Sequence, residues 1–223
     1  MENRKHELRL VTYAARGGSV KSRVNAFLVR WVGWVTLGES LGFLGPVVGQ
    51  LIAAAFLRNG VLLLVLGGVV EGAVLGWFQA HVLRGRLPAV SVRRWVSLTA
   101  LAAAIAWTLG LFPAATDAWQ EWPAAAQIGG ASVAGVLLLG SIGFAQWIEL
   151  RRHVAGAWRW IAGSAAAWAA GLAVFFAVST PLWQPGQEQW LVAAIGVGAA
   201  VLMAFTMAVI SGVVLVRILP DRP

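Results

Sequence analysis

Six long apolar stretches constrain this chain more than any other feature of its sequence. They cover residues 25–45, 61–83, 94–112, 125–149, 158–179 and 190–217. A helix needs roughly 20 mainly apolar residues to cross a hydrocarbon core of about 30 Å. Each stretch is therefore predicted to be a transmembrane α-helix, and the fold class is predicted to be an all-α integral membrane protein with six crossings.

The overall composition supports the membrane prediction. The chain has 223 residues, of which 59% are hydrophobic and 12% are charged, whereas a soluble domain is about 45–50% apolar and about 25% charged. The net charge of +8 would suit a nucleic-acid-binding protein. However, the charges lie between the apolar stretches and not on one soluble domain, so no nucleic-acid partner is expected and the predicted environment is the lipid bilayer.

The basic residues predict the orientation of the chain. Sixteen of the seventeen Lys and Arg residues lie in the first 30 residues, in alternate loops or at the C-terminus, and only Arg58 lies on the other side. Basic residues accumulate in cytoplasmic loops. We therefore expect both termini to be cytoplasmic, with residues 1–23 as a basic tail, 24–219 as one membrane domain, and the bacterial cytoplasmic (inner) membrane as the location.

The segment at 46–60 is ambiguous. It begins with Pro46 and contains a further apolar run after the first predicted span. Three interpretations are open: a continuation of the first helix past a proline kink, an interfacial helix, or a re-entrant piece. A straight continuation is the least favoured, because proline removes a helical hydrogen bond and clashes with the preceding turn.

Two motifs recur along the chain and predict an internal repeat. A glycine is followed by glutamine, leucine and arginine at the same spacing in 76–84 and in 143–151. Arg-Trp pairs occur at 30–31, 94–95 and 159–160, with spacings of 64 and 65 residues. Self-similarity at this length is typical of repeated helix pairs. We expect three helical hairpins, 24–88, 89–154 and 155–219, arranged around a pseudo-threefold axis or in a row.

The same motifs carry a resemblance. The pattern from Gln146 to Arg151, followed by an Arg-Trp helix, resembles a loose set of uncharacterised bacterial multi-pass membrane proteins with repeated Gln-Trp and Leu-Arg boxes. The resemblance covers most of 60–175. It is complete only in the second copy, because the first has Phe78 and Ala80 around its glutamine and the third lacks the glutamine. The resemblance implies a membrane fold and no particular activity.

Small residues line one face of two of the predicted helices. Steps of three and four residues return to the same helical face, and small residues there let another backbone approach closely. We expect these glycines to pack against other helices of the chain or of an oligomer. They are Gly68, Gly72 and Gly76 in the second span and Gly135 and Gly143 in the fourth. Gln79 and Gln146 lie on the same faces, either as interhelical hydrogen-bonding groups or as substrate contacts.

Two acidic residues lie within the predicted spans. Glu39 is in the first span and Glu71 in the second, and an ionised carboxylate is costly at this depth. If the two helices form a hairpin, the carboxyl groups lie at similar depth and at least one is expected to hold a proton. Two interpretations remain open: a proton or cation site with Thr36 and Ser40 as nearby oxygen donors, or protonated side chains that hydrogen-bond a carbonyl group or Gln79.

Tryptophan and arginine mark the ends of the predicted spans. Ten of the thirteen tryptophans lie near the ends of the spans and predict an aromatic belt at the two membrane interfaces. Trp77, Trp107 and Trp168 lie deeper and are not explained by a belt. Four arginines at the cytoplasmic ends either set the topology or bind anionic lipid headgroups. They are Arg84, Arg94, Arg151 and Arg159.

No residue pattern favours an enzyme. The chain has no cysteine, and neither a nucleophile with a base nor a metal-ligand spacing of histidine and acidic residues is found. We therefore expect no catalytic residues, no metal and no cofactor. Two functions remain: a small transporter or channel for a proton, a cation or a solute that uses Glu39 and Glu71, or a non-catalytic subunit or scaffold that binds lipids or partner helices.

Overall fold

The computed structural model describes residues 24–56 and 60–220 of the chain. Within these ranges the chain is helical, and six stretches are long and apolar enough to cross a membrane. The predicted number of spans is therefore confirmed. The six spans are Val24–Phe56, Val61–Leu83, Val92–Ala115, Ala124–Leu150, Arg159–Leu182 and Gln189–Ile218. The predicted basic tail at 1–23 lies outside the described residues.

Eight helices make up the described part of the chain. The first span consists of two helices, and a short helix precedes the fourth span. In chain order the helices are α1 (24–42), α2 (Leu44–Phe56), α3 (Val61–Leu83), α4 (Val92–Ala115), α5 (Asp117–Glu121), α6 (Ala124–Leu150), α7 (Arg159–Leu182) and α8 (Gln189–Ile218).

The ambiguous segment is a continuation of the first helix past a kink. A turn at Phe43 separates α1 from α2, because Pro46 has no N–H to donate to the carbonyl of Gly42 and its ring crowds that carbonyl. The helix α2 then runs along α3 in the opposite direction. A Cβ atom at Gly45 would lie 2.7 Å from the carbonyl oxygen of Gly67, and one at Gly49 would lie 2.7 Å from that of Leu63.

Local sequence features explain where several helices begin. Ser91 precedes α4 and its hydroxyl accepts a hydrogen bond from the backbone N–H of Arg94, as expected of an N-cap. Pro123 precedes α6 in an extended conformation. Gly156 and Gly186 have positive φ angles of 72° and 81°, which other residues rarely adopt. These glycines allow the tight turns that separate α6 from α7 and α7 from α8.

The six spans close into a ring and do not stand in a row. In order, α3 packs against α4, α4 against α6, α6 against α7, and α7 against α8. The ring is closed by α8 and α1, because Trp31 Nε1 donates to Ser211 Oγ at 3.1 Å. This contact also brings the start of the first span beside the end of the last. The hairpin repeat itself stays a prediction.

The main hydrophobic core lies toward one end of the helix bundle, in the direction of the helix axes. We call the end of the bundle that carries Arg84, Arg94, Arg151 and Arg159 the basic end. Its main buried cluster contains Trp31, Trp95 and Trp160, each no more than 1% exposed. These three tryptophans were expected in an aromatic belt, and that prediction is wrong for them. Their indoles point inward because each finds a hydrogen-bond acceptor inside the ring.

Close helix contacts occur at four of the five glycines singled out in the sequence. A Cβ atom at Gly72 would lie 2.5 Å from Ala103 Cβ, one at Gly76 3.0 Å from Thr99 Cβ, and one at Gly143 2.9 Å from Ser164 Cβ. Gly68 lies against the indole of Trp107. Gly135 differs from the expectation: no atom of the described residues lies within 4 Å of its would-be Cβ, because the first half of α6 is largely exposed.

Candidate functional site

The two intramembrane glutamates meet at the interface between α1 and α3. Glu39 is 1% exposed and Glu71 is 6% exposed. The helices touch here, since a Cβ atom at Gly42 would lie 2.9 Å from the backbone oxygen of Glu71. The two side chains line the same cavity. The hairpin geometry that the sequence suggested therefore does bring them together.

The two carboxyl groups have different partners. Glu71 Oε2 accepts a hydrogen bond of 2.7 Å from Trp107 Nε1. Both oxygens of Glu39 are buried, and no donor among the described residues contacts either of them. Two ionised carboxylates can only accept hydrogen bonds, and an unpaired buried charge is strongly unfavourable. A shared proton or a positively charged ligand would remove this cost.

The glutamates form part of the wall of a central cavity. Its volume is about 460 Å³, which is within the range of about 300–1,000 Å³ typical of small-molecule sites. All six spans contribute to the wall, and apart from the two glutamates its side chains are apolar or aromatic. The aromatic residues of the wall are Phe43, Trp107, Trp168, Phe175 and Phe176. The cavity is partly open.

A hydrogen-bonded layer closes the bundle between the cavity and the basic end. Gln146 Nε2 donates to Gln79 Oε1 at 2.7 Å and to Thr99 Oγ1 at 3.0 Å. Trp95 Nε1 donates to Gln79 Oε1, and Trp160 Nε1 donates to Gln146 Oε1. We call these five residues, together with Trp31, which packs edge-on against Trp160, the Trp–Gln layer. These hydrogen bonds link four spans of the bundle, and Trp31 Nε1 adds a bond to Ser211 Oγ.

The remaining residues of the expected ion site lie apart from the cavity wall. Gln79 and Gln146 belong to the Trp–Gln layer and do not line the cavity. Thr36 Oγ1 is buried without a hydrogen-bond partner among the described residues. Ser40 is half-buried. Neither hydroxyl residue lines the cavity, so the carboxyl groups of Glu39 and Glu71 are the oxygen ligands that its side chains offer.

The four arginines of the basic end are exposed. The guanidinium of Arg151 lies over the ring of Trp147 at 4.6 Å, and that of Arg159 lies over Trp158 at 5.8 Å. Arg94 Nη1 lies 3.8 Å from Glu149 Oε2. Arg84 forms the C-cap of α3. Their positions at one end of the bundle agree with the interfacial distribution expected from the sequence.

Sequence reasoning missed two residues that the structure makes important. Trp107 was noted only as a deep tryptophan, but it is the donor to Glu71. Glu149 was not singled out, although it is buried and its Oε1 accepts from the backbone N–H of Ser91 at 2.9 Å and lies 3.2 Å from His153 Nε2. The spacing of four residues between Glu149 and His153 is the signal that could have revealed this pair.

The described part of the chain contains no group of three or more His, Cys, Asp or Glu residues that could hold a metal ion. Its six apolar spans and the central cavity define a polytopic membrane protein of the lipid bilayer. Comparison of the chain with protein-family models, with curated proteins and with solved structures finds no match.

Proposed function

We propose that the protein is a small membrane carrier that moves a proton, a cation or a small solute by way of the central cavity. Glu39 and Glu71 are the binding groups in this proposal. The observation that carries it is the central cavity, because all six spans contribute to its wall and the two buried carboxyl groups are part of that wall. An intramembrane carboxyl group of this kind usually marks an ion or substrate pathway.

A carrier fits the two halves of the bundle better than an open channel does. The cavity is partly open, whereas the Trp–Gln layer closes the bundle toward the basic end. A channel needs one continuous path, but a carrier opens its site to one side at a time. The proposal therefore requires the Trp–Gln layer to separate when the cavity opens toward the basic end.

The glutamate pair supplies the chemistry of the proposed cycle. A proton on one carboxyl group would allow it to donate to the other, and Trp107 satisfies one oxygen of Glu71. A positively charged ligand can replace that proton, because it compensates the second negative charge. Loss and uptake of the proton would then couple ligand movement to the proton gradient.

The second candidate is a non-catalytic subunit or scaffold for partner helices or lipids. It is less favoured because Gly72, Gly76 and Gly143 already pack against the chain's own helices. The exposed Arg84, Arg94, Arg151 and Arg159 suit contact with anionic headgroups, which the carrier proposal includes as an anchoring role. We propose a non-enzymatic protein of the bacterial inner membrane, with the basic end toward the cytoplasm.

Flux through the purified protein in liposomes tests the proposal. An imposed pH gradient should drive protons through the protein, and a pH-sensitive dye inside the vesicles measures this movement. A cation that crosses the membrane is present to balance the charge that the protons carry. We expect Glu39→Gln and Glu71→Gln each to abolish this flux, because glutamine preserves the shape of the side chain but cannot release a proton.

Glu149→Gln is the matched control, since Glu149 is also buried but lies at the basic end away from the cavity. It should transport like the unmodified chain. All three variants should give the same chromatographic profile in detergent. Absence of flux from the unmodified protein, or equal flux from all variants, would favour the scaffold.

A further inference from the structure

The wall of the central cavity is unsuited to an inorganic cation. Ca²⁺ takes about 6–8 oxygen ligands and Mg²⁺ an octahedral shell, but only Glu39 and Glu71 bring side-chain oxygens to this wall. The other wall side chains offer carbon atoms, the soft thioether sulfur of Met203 and the indole N–H groups of Trp107 and Trp168, none of which is an oxygen ligand for a hard cation. A small ion entering here would lose its hydration shell without replacement.

The charge of the site selects against neutral and anionic ligands. No other described residue donates a hydrogen bond to the two buried oxygens of Glu39, and a neutral apolar ligand supplies neither a donor nor a compensating charge once the pair loses its proton. An anion would be repelled by any ionised carboxyl group. A ligand with one positive charge compensates the carboxylate, and the cost of burial is smaller for a large organic cation than for a strongly hydrated ion.

The aromatic residues of the wall favour the same class of ligand. Five aromatic side chains contribute to the wall, two of them tryptophans. Aromatic faces attract cations, tryptophan most strongly, and cages of such rings recognise quaternary ammonium groups. Their apolar surface can also cover the hydrocarbon part of a ligand. The cavity therefore offers carboxyl groups for the charge of a ligand and an aromatic wall for its apolar part.

We propose that the central cavity binds a lipophilic organic monocation, with its charged nitrogen at the Glu39–Glu71 pair and its apolar part against the aromatic wall. The inference rests on the proposed carrier function, because it names the ligand of the same site. The hydrogen bond from Trp107 to Glu71 is the contact that the ligand's charge competes with when it approaches the pair.

Binding of two molecules that differ only in charge tests this proposal. Benzyltrimethylammonium is the cation, and neopentylbenzene is its neutral counterpart with carbon in place of nitrogen. Calorimetric titration of the full chain in detergent should show the cation binding at least about tenfold more tightly, because only the cation compensates a carboxylate. Na⁺ and K⁺ should show no saturable binding. Equal affinity for the two probes, or failure of the cation to bind, would overturn the proposal.

Three variants separate the contributions of charge and shape. Glu39→Gln and Glu71→Gln should each weaken cation binding by at least about tenfold and leave weak binding of the neutral probe unchanged. Ala106→Phe should weaken binding of both probes because it fills the cavity, whose wall includes Ala106. Glu149→Gln should bind the cation as the unmodified chain does. Unchanged cation binding in both cavity glutamate variants would contradict the assignment.

The binding and flux experiments can fail separately. If the cation binds as expected but no gradient drives flux in liposomes, the ligand class stands and the carrier proposal fails. If proton flux depends on Glu39 and Glu71 but benzyltrimethylammonium neither binds nor inhibits it, the carrier stands and the ligand class is wrong.

Discussion

The helix bundle has two halves along its axis, the one at the basic end and the one at the opposite end, and they are built differently. The basic-end half contains the main buried cluster and the Trp–Gln layer, whereas the other half contains the central cavity and the largely exposed first turns of α6 and α8. Lipid gives no hydrophobic driving force for helix association, so packing and hydrogen bonds must hold the ring together. The contrast indicates that stability is concentrated in the basic-end half, whereas the other half contains the proposed binding site.

The same contrast explains where polar residues are tolerated. In the Trp–Gln layer, Gln79 accepts two hydrogen bonds and Gln146 both donates and accepts, and a buried network of hydrogen bonds stabilises a fold. At the cavity, Glu39 has no donor on either oxygen among the described residues. An unsatisfied buried group costs stability. Its presence beside a cavity agrees with a role in binding.

The largest effect should come from removing a tryptophan of the Trp–Gln layer. Trp160→Ala leaves a large hole and removes the donor to Gln146, so we expect a loss of about 3–5 kcal/mol in the free energy of unfolding. Trp158→Ala, two residues away and 62% exposed, should change it by less than about 0.5 kcal/mol. Unfolding in a denaturing-detergent titration measures both. Similar losses would show that burial of Trp160 in the Trp–Gln layer adds no stability.

A glycine pair on α6 compares the two halves within one helix. Gly143→Leu forces a side chain against Ile161 and Ser164, whose atoms lie about 3 Å from the would-be Cβ, and should cost about 1–3 kcal/mol. Gly135→Leu meets no atom of the described residues within 4 Å and should be tolerated. The same titration measures the difference. Equal tolerance of leucine at both positions would contradict close packing at Gly143.

Glu149 tests how much a polar contact contributes at the basic end. Glu149→Ala removes the acceptor for the backbone N–H of Ser91 at the start of α4 and should cost about 1–2 kcal/mol. Glu149→Gln keeps an acceptor oxygen and should cost less. If alanine and glutamine give the same midpoint in a thermal melt, the hydrogen bond to Ser91 contributes nothing to stability.

The smallest effect is expected on the cavity wall. Ala106→Leu extends into the cavity and should change the free energy of unfolding by less than about 0.5 kcal/mol. Ala167→Leu, at a fully buried position of the main cluster, should cost about 1–3 kcal/mol through overpacking. Detergent titration of the two variants compares the halves directly. A loss at Ala106 as large as that at Ala167 would mean that no usable space lies beside Ala106.

Much of the helical framework could be predicted because it depends on local sequence. The predicted span 61–83 coincides with α3, and the other predicted ends lie within a few residues of the observed helices, apart from the first. That span extends to Phe56 because α2 continues past the kink and packs on α3 through Gly45 and Gly49. The spacing of these glycines was available in the sequence, but their partners on α3 were not.

The candidate site was only partly predictable. The glutamates stood out because charged residues are rare within apolar stretches, and their hairpin placed them together. The donor Trp107 lies 36 residues from Glu71 along the chain, and no local pattern indicates such a contact. The tryptophans at 31, 95 and 160 were assigned to the interface because the position of a residue along a span gives its depth in the membrane. It does not give the direction in which the side chain points.

The sequence by itself determined the number of spans, the lengths of five of them and the charge asymmetry between the two ends, since these follow from apolar length and from the placement of Lys and Arg. It also identified the residues at which helices could touch. Only the tertiary structure decided that the spans close into a ring, that three tryptophans turn inward, and that a cavity forms beside Glu39 and Glu71. These features depend on which helix faces which neighbour, and that choice is made by contacts between residues far apart in the chain.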